Sequence, residues 1–137
     1  MSGPHRLAVR VYYEDTDLAG IVYYANYLKF MERGRTEALR ALSVDQGRIR
    51  AETGVVFAVR RVALDYRAPA RFDDMLTVET SLARLGGASA ELHQAVRRDG
   101  TILCDGTVTV VAIGPDGRAR RLAPDLRARL AALAPVS

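Results

Sequence analysis

Four long runs of strand character follow a single helix-length stripe, joined by turns too short for anything but reversal, and that order constrains this chain more than any other feature. The runs cover residues 55–66, 76–85, 88–98 and 101–113. Ala68-Pro69, Gly86-Gly87, Asp99-Gly100 and Pro115-Asp116-Gly117 punctuate them, and all are hairpin or turn signals. A parallel crossover needs about a dozen residues, so these connections predict antiparallel neighbours. Ahead of them Tyr24, Tyr27, Leu28, Met31, Ala38, Leu39 and Leu42 recur at helical spacing and predict one long helix. Gly34 inside it costs helix propensity, for which close approach to whatever the helix packs on is the reason. Residues 7–13 read as an opening strand, Ser43 as the N-cap of a short helical turn ending at Gly54, and residues 124–133 as a last helix that frays at Ala134-Pro135. The long helix has to bury its Leu28, Met31, Leu39 and Leu42 stripe on one face of the sheet. The expected fold class is therefore α+β, with a five- to six-stranded antiparallel sheet wrapped around one central helix. Its unpaired edge strands invite a second copy, so at least a dimer is expected.

Composition narrows the functional classes. At 137 residues and 49% hydrophobic content the chain suits one compact domain, expected to span 1–137. No run approaches the roughly 18 apolar residues of a membrane span, and the Met-Ser-Gly-Pro-His start lacks a signal-peptide layout, so a cytoplasmic protein is expected. The lone Cys104 cannot pair within the chain, which fits a reducing compartment. The net charge is +4, and Lys29 is the only lysine. Arginine's planar fork suits phosphate, although a genome rich in arginine codons produces the same excess. The arginines are scattered and no aromatic-rich basic strand accompanies them, so nucleic acid is not an expected partner.

Chemistry-bearing residues concentrate between the first strand and the helix. Asp17 precedes Gly20, which lets the chain turn tightly, and the helix begins near Tyr24. A carboxylate there can attack a carbonyl or activate water. Backbone N–H groups of a helix's first turn lack intrahelical partners, and the macrodipole favours negative charge beside them. On residue type alone, Asp15 and Asp17 also suit turn or N-cap positions. Elsewhere, Glu32 suits a helical surface pair with Arg33 or Arg35, and His93 shares a strand face with Ser89 and Glu91 as an exposed polar residue. His5 falls in an N-terminus expected to be mobile. Cys104 alternates with Ile102 and Val108 as a core thiol.

The segment YEDTDLAGIVYYANYLKFMERGRTE, residues 13–37, resembles the signature of the hotdog-fold 4-hydroxybenzoyl-CoA thioesterase family, and most of all its Tol-Pal-associated acyl-CoA thioesterase branch. The likeness continues through FAVRRVALDYRAPARFDDMLTVET, residues 57–80, and more loosely to about residue 112. The resemblance implies coenzyme A thioesters as substrates, no metal or other cofactor, edge-to-edge homodimers often paired into homotetramers, and a site at the dimer interface. Thioester resonance is weak and thiolate leaves readily, so one carboxylate and one oxyanion donor suffice. Carried over by position, Asp17 is the catalytic carboxylate and the Tyr24 backbone N–H the oxyanion donor. Asp15, Gly20, Val22, Tyr23, Asn26 and Tyr27 shape the loop and acyl pocket, while Phe57 and Val59 enter that pocket from a neighbouring subunit. The branch commonly carries histidine where this chain has Tyr24; a backbone donor survives that change, and a mechanism needing the imidazole does not.

Coenzyme A brings a pyrophosphate and a 3′-phosphate, for which Arg60, Arg61, Arg84 and Arg97, the Gly86-Gly87 turn and Ser89 are the local candidates. Short to medium aliphatic acyl groups are expected, with aromatic acyl-CoA or acyl carrier protein thioesters as the alternatives. A hydratase or dehydratase would need an acid and base pair, commonly including histidine, and neither His5 nor His93 is placed for it. A non-catalytic acyl-binding scaffold is the remaining class.

Overall fold

The computed structural model describes residues 3–134. Its elements run β1 (His5–Arg10), a single 3-10 turn (Tyr13–Asp15), α1 (Asn26–Ala41), α2 (Gln46–Thr53), β2 (Val56–Tyr66), β3 (Met75–Leu85), β4 (Ser89–Arg98), β5 (Thr101–Ile113) and α3 (Pro124–Ala131). Every strand pairing is antiparallel, and the five strands lie in the order β1-β3-β4-β5-β2. The expected α+β layer and its strand-rich second half are present. Fraying at Ala134-Pro135 falls partly outside the described residues.

Three local expectations need correction. The opening strand begins earlier, because His5 pairs with Thr80 rather than lying in a mobile terminus. Ser43 is not an N-cap: it takes a left-handed φ of 61° where the chain leaves α1, and Asp45 caps α2 by accepting the Arg48 N–H at 3.0 Å. The short 67–74 connection does not make neighbours of β2 and β3. It crosses three strand spacings, roughly 14 Å, which eight residues span with ease. The crossing leaves β2 at one edge, bonded only to β5, and β1 at the other.

The buried stripe of α1 is also rotated from the expected one. Tyr27, Phe30, Met31, Gly34 and Ala38 face the sheet, while Leu28 stays 41% exposed and Leu39 half-buried. Phe30 and Met31 are fully buried and contribute about 1.5–3 kcal/mol each. The helix lies over β1, β3 and β4. This leaves an apolar strip along the concave side of the other edge, where Val59, Val62 and Tyr66 are 47%, 39% and 49% exposed.

Gly34 sits at the waist between two apolar clusters. A Cβ there would stand 2.6 Å from Val78 Cγ1, so the expected close approach is present. Beside it Gln94, fully buried, donates from Nε2 to Met31 O and to Thr80 Oγ1, each at 2.9 Å, and its Oε1 accepts from Arg35 Nη1 at 3.0 Å. These bonds satisfy the amide and staple helix to sheet. The N-terminal cluster gathers Tyr27, Phe30, Leu76, Val96 and Leu103; the C-terminal one gathers Ala38, Leu92, Ala112, Leu126 and Leu130, with α3 closing its end. Cys104 lies in the first, where burial pushes its thiol up to about 12 and keeps it from acting as a thiolate nucleophile.

Candidate active site

The loop between β1 and α1 is held by its own backbone. Tyr23 N–H donates to Asp15 O at 3.0 Å, Asp17 N–H to Ile21 O at 2.9 Å, and Gly20 N–H to Asp17 O at 3.0 Å. Gly20 takes φ +80°, a left-handed conformation that a side chain would strain. Val22 is buried and donates its N–H to Ala70 O at 2.8 Å, which ties the loop to the 67–74 connection. Tyr27 is buried too, and its hydroxyl accepts the Ala70 N–H at 3.1 Å.

The two aspartates of this loop are unlike. Asp15 is buried, and its carboxylate accepts the Tyr12 N–H at 2.8 Å and the Asn26 Nδ2 amide, itself buried, at 2.9 Å. Asp15 therefore fastens the first residue of α1 to the loop. Asp17 is exposed. Its Oδ1 accepts the Ala19 N–H at 2.9 Å, a small turn that fixes the side chain, and among the described residues it makes no ion pair. One oxygen stays free to act.

Tyr24 lies in the turn just before α1, which begins two residues later than the sequence stripe indicates. The first-turn bonds skip it: Asn26 N–H donates to Tyr23 O at 2.7 Å and Leu28 N–H to Ala25 O at 3.2 Å. Among the described residues the Tyr24 N–H has no protein acceptor. Its ring packs 4.9 Å from that of Tyr23, centroid to centroid. The neighbouring Tyr24 hydroxyl raises the Tyr23 phenol above its ordinary value, and the Asp17 charge adds to this more weakly.

The other expected site residues lie elsewhere. Phe57 and Val59 line a cavity of about 240 Å³ against α1, together with Glu32, Arg35, Leu39 and Leu92 of their own chain. Glu32 pairs with neither Arg33 nor Arg35; it accepts the Thr36 hydroxyl at 3.1 Å. Tyr66 and Val59 are seven residues apart on β2, roughly 20 Å, so the Tyr24 end of that strand and the cavity mouth are well separated within one chain.

Among the phosphate candidates, Arg84 sits 3.7 Å from Glu91 and Arg97 3.9 Å from Glu79. Arg60 occupies the bulge of β2 and Arg61 follows it, both exposed. Ser89 is half-buried, with its hydroxyl turned toward Gly86. The sequence reading missed Arg121, whose guanidinium lies beside Gly87; it is distant in sequence from that turn, and only the folded chain joins them. Arg35 was missed as a half-buried group. Burial lowers its pKa, and no periodic signal separates it from the solvated arginines around it.

Comparison with known proteins bears on the family and the fold. The sequence matches the thioesterase superfamily over residues 19–105. It is 45% identical over 111 residues to the acyl-CoA thioester hydrolase YbgC of Escherichia coli O6:H1 strain CFT073, covering 80% of this chain and 82% of that protein. It is 44% identical over 105 residues to the acyl-CoA thioesterase YbgC of Haemophilus influenzae, covering 77% of each. The crystal structure of a probable thioesterase from Bartonella henselae superposes with a TM-score of 0.85 at 34% identity, covering 88% of this chain and 100% of that one. The chain belongs to the thioesterase superfamily, and its sheet wrapped on one long helix is the hotdog fold implied by its sequence.

Proposed function

We propose that this chain hydrolyses acyl-CoA thioesters to a free acid and coenzyme A, with Asp17 as nucleophile or general base and the Tyr24 N–H as oxyanion donor. One observation carries the residue roles: an exposed carboxylate with a free oxygen and an amide with no protein acceptor share a single braced loop. The carboxylate attacks the thioester carbonyl, or takes a proton from attacking water, as the carbonyl oxygen gains charge. An amide at the start of a helix meets that charge without reorganising. The thiolate then leaves. Attack by Asp17 gives a mixed anhydride that water opens; the general-base route gives the acid directly. The acyl-CoA thioesterases to which the chain is 44–45% identical support acyl-CoA as the substrate.

The same reading makes the chain one domain that works as a homodimer through β2. An antiparallel twofold pairing of that edge would cover the Val59, Val62 and Tyr66 strip of both copies and bring the Tyr66 end of one strand to the Phe57 end of the other. Asp17 and Tyr24 of one copy then face the cavity of its partner. The cavity is lined mainly by aliphatic side chains, Leu39, Val59 and Leu92 among them, and the motif over residues 13–37 is like that of the Tol-Pal-associated branch. That supports a short to medium aliphatic acyl group. Arg60, Arg61 and Arg121 are free of ion pairs among the described residues and are the anchors we favour for the coenzyme A phosphates. No helix among the described residues is long and apolar enough to cross a membrane, and the motif over residues 13–37 supports the Tol-Pal-associated branch.

Free-thiol release from a panel of aliphatic and aromatic acyl-CoAs and one acyl carrier protein thioester tests this function. The wild type should favour aliphatic acyl-CoAs of short to medium length, and Asp17→Asn should lose at least about a hundredfold in kcat on the best of them, in the range for a positioned acid or base. An Asp17→Asn variant as fast as the wild type removes Asp17 from the chemistry. Failure of every acyl-CoA removes the function.

A further inference from the structure

The Tyr24 carbonyl has an unusual place for a residue beside a helix. A regular ladder would give it the Leu28 N–H, but that group bonds to Ala25 O at 3.2 Å. The Tyr24 carbonyl instead accepts a hydrogen bond from the Tyr66 hydroxyl at 3.0 Å, from 42 residues away on the edge strand β2. Among the described residues this is the donor that it has. The Tyr66 ring stands edge-on to two neighbours, 6.2 Å from Tyr24 and 5.6 Å from Tyr27, so packing aims the hydroxyl. Burial raises the Tyr66 phenol above its ordinary value, and it stays a donor through the neutral range.

We propose that the Tyr66 hydroxyl is a positioning group for thioester hydrolysis: by gripping the Tyr24 carbonyl it fixes the direction of the Tyr24 N–H toward the developing oxyanion. This rests on the Asp17 and Tyr24 reading above and adds a residue from a different part of the chain. Tyr24 lies between two peptide planes. The plane before it, which carries its N–H, is held from one side by the Asn26 N–H on Tyr23 O at 2.7 Å. Among the described residues, the plane after it is held by Tyr66 alone. Without that second grip Tyr24 can rock about its own φ and ψ, and the free N–H swings with it. Because Tyr66 lies on the strand we assign to the dimer contact, the same bond ties the aim of the oxyanion donor to the integrity of that edge.

Tyr66→Phe removes the hydroxyl and keeps the ring, so the test separates the hydrogen bond from the packing. Losing an oxyanion donor altogether costs about 10²–10³ in kcat; misdirecting one should cost less, about tenfold, with KM and the affinity for a non-hydrolysable thioether analogue within about twofold. In ¹⁵N-labelled protein the Tyr24 amide order parameter should fall from about 0.85 toward 0.6 while the rest of α1 is unchanged. An unchanged kcat overturns the proposal. A loss of kcat with no change at the Tyr24 amide also overturns it. A wild type that cleaves no acyl-CoA, by contrast, brings down the thioesterase reading itself, and the relaxation measurement then still reports whether Tyr66 holds Tyr24.

Discussion

Asp15 and Asp17 stand two residues apart in chemically unlike surroundings. One is buried and used up by the Tyr12 N–H and the Asn26 amide; the other is exposed with an oxygen to spare. A buried carboxylate short of a partner is costly, so Asn26→Ala should lower stability by about 1–3 kcal/mol, read from urea unfolding. It should also slow turnover, because the Asp15–Asn26 bond holds the start of α1 against the loop that carries Asp17. A variant as stable as the wild type would mean that Asp15 is satisfied some other way. At this scale the loop was legible from sequence through its likeness to a family signature: Asp17, Gly20 and Tyr24 fall in one short segment, and it is that likeness, rather than residue type, that suggests their roles. Tyr66 was not, because nothing in a strand's alternation reveals which distant carbonyl a tyrosine will meet.

The elements follow their periodicities, and the departures have physical causes. Strand limits fall within about two residues of the turn signals, yet β2 pairs with β5 rather than with its successor, since eight residues reach across a curved sheet as readily as they reverse. The α1 stripe is turned because an aromatic at position 30 buries more area than Leu28, and because Gly34 demands the sheet side. Gly34→Ala weighs two effects against each other. Helix propensity favours alanine by about 1 kcal/mol. The new Cβ, 2.6 Å from a Val78 methyl whose residue is fully buried, meets a packed core in which added methyls cost about 1–3 kcal/mol. Crowding should win, and the denaturation midpoint should fall. A higher midpoint would show that the Val78 contact yields freely.

In the whole molecule the site we propose draws on two copies. Tyr24 meets one end of β2 and the apolar-lined cavity opens near the other, roughly 20 Å off, while the strand between exposes Val59, Val62 and Tyr66. Edge strands invite pairing in general, but which of the two edges carries the apolar strip emerges only once α1 is seen to sit off-centre. The central claim is that Asp17 of one copy acts on an acyl group held by the cavity of the other, and mixed dimers test it most directly. Asp17→Asn removes the carboxylate, and Val59→Trp fills the cavity mouth; each homodimer should be nearly inactive. Unfolded and refolded together in equal amounts, the two variants should form mixed dimers in which one of the two sites is intact, and thiol release should return to about a quarter of the wild-type rate, since half of randomly assorted dimers are mixed. If mixing leaves the activity at that of the separate variants while native mass spectrometry, which resolves the heavier Trp-bearing copy, shows that dimers have exchanged, Asp17 and the cavity do not meet across β2.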